Sequence, residues 1–135
     1  MSANSVPYPS GSAVPGTPST WAWKKLMADL PLTPLFTAAV TGDYLITAYV
    51  SVNPDGGGQM GVAPTIRWTD EYGAQVQGFY FAQSNLNYVG QAGGDSVCIH
   101  VMAGTTIFIS TDADASGNPA NTDYEMVVTK TLLGP

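Results

Sequence analysis

Five oxygen-bearing residues in the segment 112-DADASGNPANTD-123 stand where a calcium loop would need them. Asp112, Asp114, Ser116, Asn118 and Asp123 occupy positions 1, 3, 5, 7 and 12 of such a loop, with Gly117 at position 6. Calcium takes six to eight oxygens, and alternating short acids on a tight turn can supply them. Three features weigh against that reading. Pro119 stands where such loops carry an apolar residue, position 12 is Asp rather than the longer Glu, and the flanks read as strands rather than helices. A polar hairpin loop built from Asp, Asn, Ser and Gly accounts for the same residues, and no metal is assigned.

The other candidates for chemistry are weaker. Asp70 and Glu71 are adjacent in a hairpin, so their carboxylates diverge, whereas a glycosidase pair must face each other across one bond. His100 and Cys98 alternate on one strand and can point the same way. Two ligands do not close a zinc site, and a Cys–His dyad needs an accessible thiol and a group that orients the imidazole. A half-buried structural histidine and an inert, buried cysteine are expected instead. No glycine-rich phosphate loop follows a strand and opens a helix. The chain is therefore expected to be no enzyme and to carry no cofactor.

Composition points the same way. Only 10% of the 135 residues are charged, 44% are apolar, and the net charge is −6. A surface so poor in charge favours a protein covered by sister chains or by a larger body. Between Trp68 and Thr129 there are seven carboxylates and no Lys or Arg, which excludes a nucleic-acid footprint. The Lys24–Lys25 pair is too small for a membrane or DNA patch. The start, Met-Ser-Ala-Asn, has neither a basic nor an apolar leader segment, so no secretion signal is expected. The apolar runs are far shorter than the roughly 20 residues of a membrane span. A single cysteine allows no intrachain disulfide.

The elements that would position these residues are short strands. The runs 44-YLITAYVSV-52, 62-VAPTIRW-68, 75-QVQGFYFAQ-83, 97-VCIHVM-102, 106-TIFIS-110 and 124-YEMVVTKTLL-133 are separated by Gly-, Asn-, Asp- and Pro-rich turns. This is the pattern of an all-β sandwich or barrel. Tyr44, Ile46, Ala48, Val50 and Val52 form an apolar face of one strand. Gly78 marks a bulge or a close approach. Residues 1–20 contain Pro7, Pro9, Pro15 and Pro18 among Ser, Gly and Thr, a composition that fits a linker, a tag remnant or a docking arm; Val6, Tyr8 and Val14 give apolar grip, so an extended arm that orders on a neighbouring surface is expected. Ser19 or Thr20 can cap a short helix, 21-WAWKKLMADL-30, ended by Pro31, with Trp21, Leu26 and Leu30 on one face. The expected organisation is an arm over 1–20, a short helix and connector over 21–34, and a β-domain over 35–135.

The segments 42-GDYLITAYVSV-52, 66-IRWTDEYG-73, 103-AGTTIFIST-111 and 124-YEMVVTKTL-132 together resemble the jelly-roll domains of the tumour-necrosis-factor and C1q type, in the form found in small virion proteins of tailed bacteriophages. The ending Leu-Leu-Gly-Pro departs from the aromatic-Gly-Leu close of tumour necrosis factors, and residues 1–34 have no counterpart. The resemblance implies a sandwich that trimerises about a threefold axis, with Tyr44, Tyr49, Tyr80, Phe108 and Tyr124 as candidates for the axis or for the core. It implies a capsid decoration protein made in the host cytoplasm and located on the virion surface. Its partners would be the major capsid protein and two further copies of itself, with no nucleic acid and no membrane. Tyr8, Trp21, Trp23, Leu26 and Tyr44 are the candidate contacts to capsid or sister subunits. The alternative within the same resemblance is a tail fibre tip or receptor-binding module that recognises a host glycan or protein.

Overall fold

A computed structural model describes residues 18–53, 59–79, 82–83, 92–116 and 123–134. Among these residues the strands are β1 (Pro18–Leu26), β2 (Thr33–Thr37), β3 (Gly42–Val52), β4 (Gln59–Asp70), β5 (Gly73–Gly78), β6 (Ala82–Gln83), β7 (Ala92–Val101), β8 (Thr106–Ser116) and β9 (Tyr124–Gly134). They form two sheets with antiparallel pairing throughout. One runs β1-β9-β3-β7. The other runs β2-β8-β4-β5, with β6 also paired to β4.

The alternation along β3 is the clearest link between sequence and packing. Tyr44, Ile46, Ala48, Val50 and Val52 are buried, while Asp43, Leu45, Thr47, Tyr49 and Ser51 face away from the core. Ile66 and Val62 of β4, Ile107 and Ile109 of β8, and Met126 and Val128 of β9 close the core from the other strands. Pro64 sits in β4 where pairing passes from β5 to β6, and its carbonyl accepts the Phe79 amide at 2.8 Å. A missing N–H is tolerated at such a break in the ladder.

No helix occurs among the described residues, so the helix expected over 21–30 is corrected to strand β1. The reason is a period of two that a bulge disguises. Trp21 pairs with Val128 and Trp23 with Met126, which turns both indoles inward. Lys25 then adopts φ 55° and the register shifts before Leu26, which packs on the same core. The inward set 21, 23, 26 is therefore a bulged strand, although its last spacing reads as a helical stripe.

The candidate calcium loop is also redrawn. β8 continues to Ser116, and residues 112 and 114 pair with Ala63 and Gly61 of β4. Positions 112, 114 and 116 thus lie along an extended strand, about 6.6 Å apart at each step, rather than curled around a common centre. Residues 117–122 lie outside the described set, as do Tyr8, Tyr80 and residues 1–17 of the expected arm, whose last three residues, Pro18 to Thr20, belong to β1.

Candidate functional site

The outward face of the β1-β9-β3-β7 sheet is the most distinctive surface of the molecule. Residues directly opposite across antiparallel strands share a face, and three successive rungs can be followed across all four strands. The first is Pro18, Thr131, Leu45 and Cys98. The second is Thr20, Thr129, Thr47 and Ser96. The third is Ala22, Val127, Tyr49 and Gly94. None of these twelve residues is charged. The Thr47 and Thr129 hydroxyls are hydrogen-bonded to each other, so much of the polar capacity of the middle rung is satisfied within the sheet. Tyr49 is 47% exposed. A Cβ on Gly94 would meet the Ala48 carbonyl at 3.3 Å and the Tyr49 ring at 3.7 Å, so glycine leaves the ring room to lie over the neighbouring strand.

Charges frame this face at both ends. At one end Lys24 pairs with Glu125 at 3.6 Å. At the other, His100 donates its Nδ1–H to an Asp43 carboxylate oxygen at 2.9 Å, and its Nε2 lies 3.7 Å from a Glu71 oxygen. The hydrogen bond to Asp43 raises the His100 pKa above its ordinary value, and the nearby carboxylates of Glu71, Asp43 and Asp70 add to it. Asp70 is turned back on its own hairpin, where it accepts from the Tyr72 amide at 2.8 Å and from the Gln75 side chain at 3.1 Å. Cys98 is exposed rather than buried, and His100 is exposed rather than half-buried, because the outward register of edge strand β7 carries both. Sequence reasoning missed the Asp43–His100–Glu71 cluster. Its three members are far apart in the chain and meet only through strand register and a hairpin tip.

The remaining candidates divide between the core, the sheet edge and the outward faces. Tyr44 is 2% exposed and its hydroxyl donates to the Val40 carbonyl at 2.8 Å; burial raises its pKa, opposed by that hydrogen bond. Trp21 stacks on Phe36 with ring centres 6.0 Å apart, and Phe36 meets Tyr44 at 5.5 Å. Lys130 lies over the Phe36 ring at 4.7 Å. Trp21, Trp23 and Leu26 are partly buried against the core along the sheet edge. Tyr124 is in the core, Tyr49 faces outward from one sheet, and Phe108 faces outward from the other. Among the described residues no group of three or more His, Cys, Asp or Glu side chains is arranged to hold a metal ion.

The globular domain of zebrafish complement 1qA superposes with a TM-score of 0.52 at 17% identity, over 73% of this chain and 68% of that one. The fold is C1q-like. The phage PRD1 vertex protein P5 gives a TM-score of 0.44 at 13% identity, over 90% of this chain and all of that one. Eiger TNF from S. frugiperda gives 0.43 at 8% identity, over 75% and 69%. No family model matches the sequence, and no curated protein matches it. The expected jelly-roll sandwich thus agrees with the observed pair of antiparallel sheets.

Proposed function

We propose that this chain is a non-enzymatic virion structural protein that assembles as a homotrimer and decorates a phage capsid, where it binds the major capsid protein. The observation that carries this reading is the uncharged outward face of the β1-β9-β3-β7 sheet. A four-stranded face with Tyr49, Val127 and Leu45 on its two central strands and no charge over three rungs is well suited to a partner. The sequence resemblance to phage virion jelly rolls supplies the biological setting.

The dimensions say what else must contribute. Strands about 4.8 Å apart and rungs about 6.6 Å apart make this face roughly 400 Å². A stable interface needs about 800 Å² per partner. Sheet edges and the arm over 1–17 must supply the rest, and the arm joins β1 at Pro18, a corner of the same face. In this reading Trp21, Trp23, Leu26 and Tyr44 stiffen the edge that the arm leaves, and Tyr8 travels with the arm to the shell.

Light scattering on the purified chain tests the assembly, with a trimer expected at three times 14.1 kDa. Full occupancy of empty shells by a chain lacking residues 1–17 would rule out the arm as the capsid grip.

A further inference from the structure

The outward face of the other sheet carries a second, different surface. One rung there is Pro34, Phe108, Arg67 and Val76, and the next is made by the pairs Thr37–Thr106 and Thr69–Ala74. Between them lies a depression of about 300 Å³ lined by Arg67, Thr69, Ala74, Val76, Thr106 and Phe108. Phe108 is half-buried, and Val76 is 60% exposed.

Arg67 is the only arginine in a chain with ten carboxylates, yet among the described residues no carboxylate lies within ion-pair distance of it. The hydrogen bond it makes, Nη1 to the Ser110 hydroxyl, is long at 3.3 Å. A guanidinium has five donors in a planar fork that matches a carboxylate. Here most of that capacity faces solvent beside an aromatic ring and an exposed valine.

We propose that this depression binds a single sugar-acid ring, free or as the terminal residue of a carboxylated glycan. Arg67 takes the carboxylate. Phe108 and Val76 cover the apolar face of the ring, and the Thr69 hydroxyl stands at the rim for its hydroxyls. Two features select this ligand class. The volume is at the low end for small-molecule pockets, which suits one ring rather than an oligomer. A single cation on both rungs suits one negative charge, whereas an acidic peptide or a nucleic acid needs clustered cations. A site this open is expected to bind in the millimolar range, with a Kd of about 1 mM. Three copies on a trimer would multiply that through avidity, a gain that rests on the assembly proposed above, while the site itself does not.

The test is an amide NMR titration of the full chain with glucuronic acid, glucose and glucose 6-phosphate, each to about 10 mM, an order above the expected Kd. Glucuronic acid should produce saturable shifts at Arg67, Val76 and Phe108, with glucose at least tenfold weaker. Arg67→Gln should weaken binding tenfold or more. Arg67→Lys, which keeps the charge and loses the fork, should fall between. Val76→Asp, at an exposed position opposite Arg67, should block binding by supplying the carboxylate from within. Unchanged spectra outside the depression check that each variant folds. Absent shifts, equal binding of glucose, an unaffected Arg67→Gln variant, tighter binding of glucose 6-phosphate, or displacement by an Asp-rich peptide at lower concentration would each overturn the assignment.

Discussion

The hydroxyl of Thr111 on β8 donates to the hydroxyl of Tyr124 on β9 at 2.6 Å. The direction follows from their other partners. The single Tyr124 proton goes to the Ala28 carbonyl at 2.8 Å, and the Leu30 amide donates to Thr111 Oγ1 at 2.7 Å. The chain of donors runs Leu30 N–H, Thr111 O–H, Tyr124 O–H, Ala28 carbonyl, and the Thr111 amide returns to the Leu30 carbonyl at 3.1 Å. It ties the connector between β1 and β2 to both sheets. Thr111→Val would leave the Leu30 amide and the Tyr124 oxygen without their partner, at a cost of about 1–3 kcal/mol. Tyr124→Phe removes two bonds at a 1%-exposed site and should cost about 1–2 kcal/mol. The double variant should lose less than the sum, since both act on one network. Urea denaturation of the three variants reads this directly, and strict additivity would contradict the shared network.

His100 gives the chain a pH dependence of defined sign. Its folded pKa lies above the ordinary 6.5 because of the Asp43 hydrogen bond and the surrounding carboxylates. A raised folded pKa means the contribution is fully present below the unfolded value and disappears as pH rises through the folded one. The stability of the wild type should therefore fall as pH rises from about 6.5 through the raised value, and His100→Gln should flatten that slope. Because the group is exposed, the change is small and screened by salt. Asp43→Asn should bring the imidazole pKa back toward its ordinary value in an NMR titration. A titration unmoved by Asp43→Asn would place the cause elsewhere.

Lys25 explains why most of the fold was legible in the sequence and β1 was not. The strict alternation from Tyr44 to Val52 survives unchanged in β3, and the turn residues Asp70 to Gly73 form the expected hairpin, with Gly73 at φ 111°. Around Trp21 and Trp23 the period is also two, but the left-handed Lys25 inserts one residue before Leu26. A bulge leaves no mark in composition, and a Lys-Lys pair after two tryptophans reads as the polar side of a helix. The site was less legible still. Strand pairing, not local spacing, lines up Leu45 with Thr131 and Cys98. The β-branched residue in Lys25→Ile should be destabilised relative to Lys25→Gly by about 1 kcal/mol or more, because only glycine enters the left-handed region without strain. Equal stability of the two variants would remove the bulge.

The calcium spacing in 112–123 makes its own test. With residues 112 and 114 held in the β4–β8 ladder, calcium would have to unpair the end of β8 to gather three acids. The melting temperature should therefore be the same in calcium and in chelator, and Asp112→Asn should leave it unchanged in both. A rise in calcium that Asp112→Asn abolishes would show that the strand end rearranges around the ion.

The uncharged face supports a prediction with two separable readouts. Val127 and Tyr49 sit opposite each other on its two central strands, and both side chains point away from the core. Val127→Glu or Tyr49→Glu places a charge where an assembled face would have to desolvate it, which costs several kcal/mol unless a partner neutralises it. In a free protomer the same charge remains in water and costs little. Either substitution should therefore convert trimer to monomer in light scattering while the urea midpoint, extrapolated to low protein concentration, stays near that of the wild-type monomer. Thr65→Glu, on the opposite sheet, should leave the mass unchanged. A trimer that tolerates both central glutamates would move the interface off this face and onto the sheet edges.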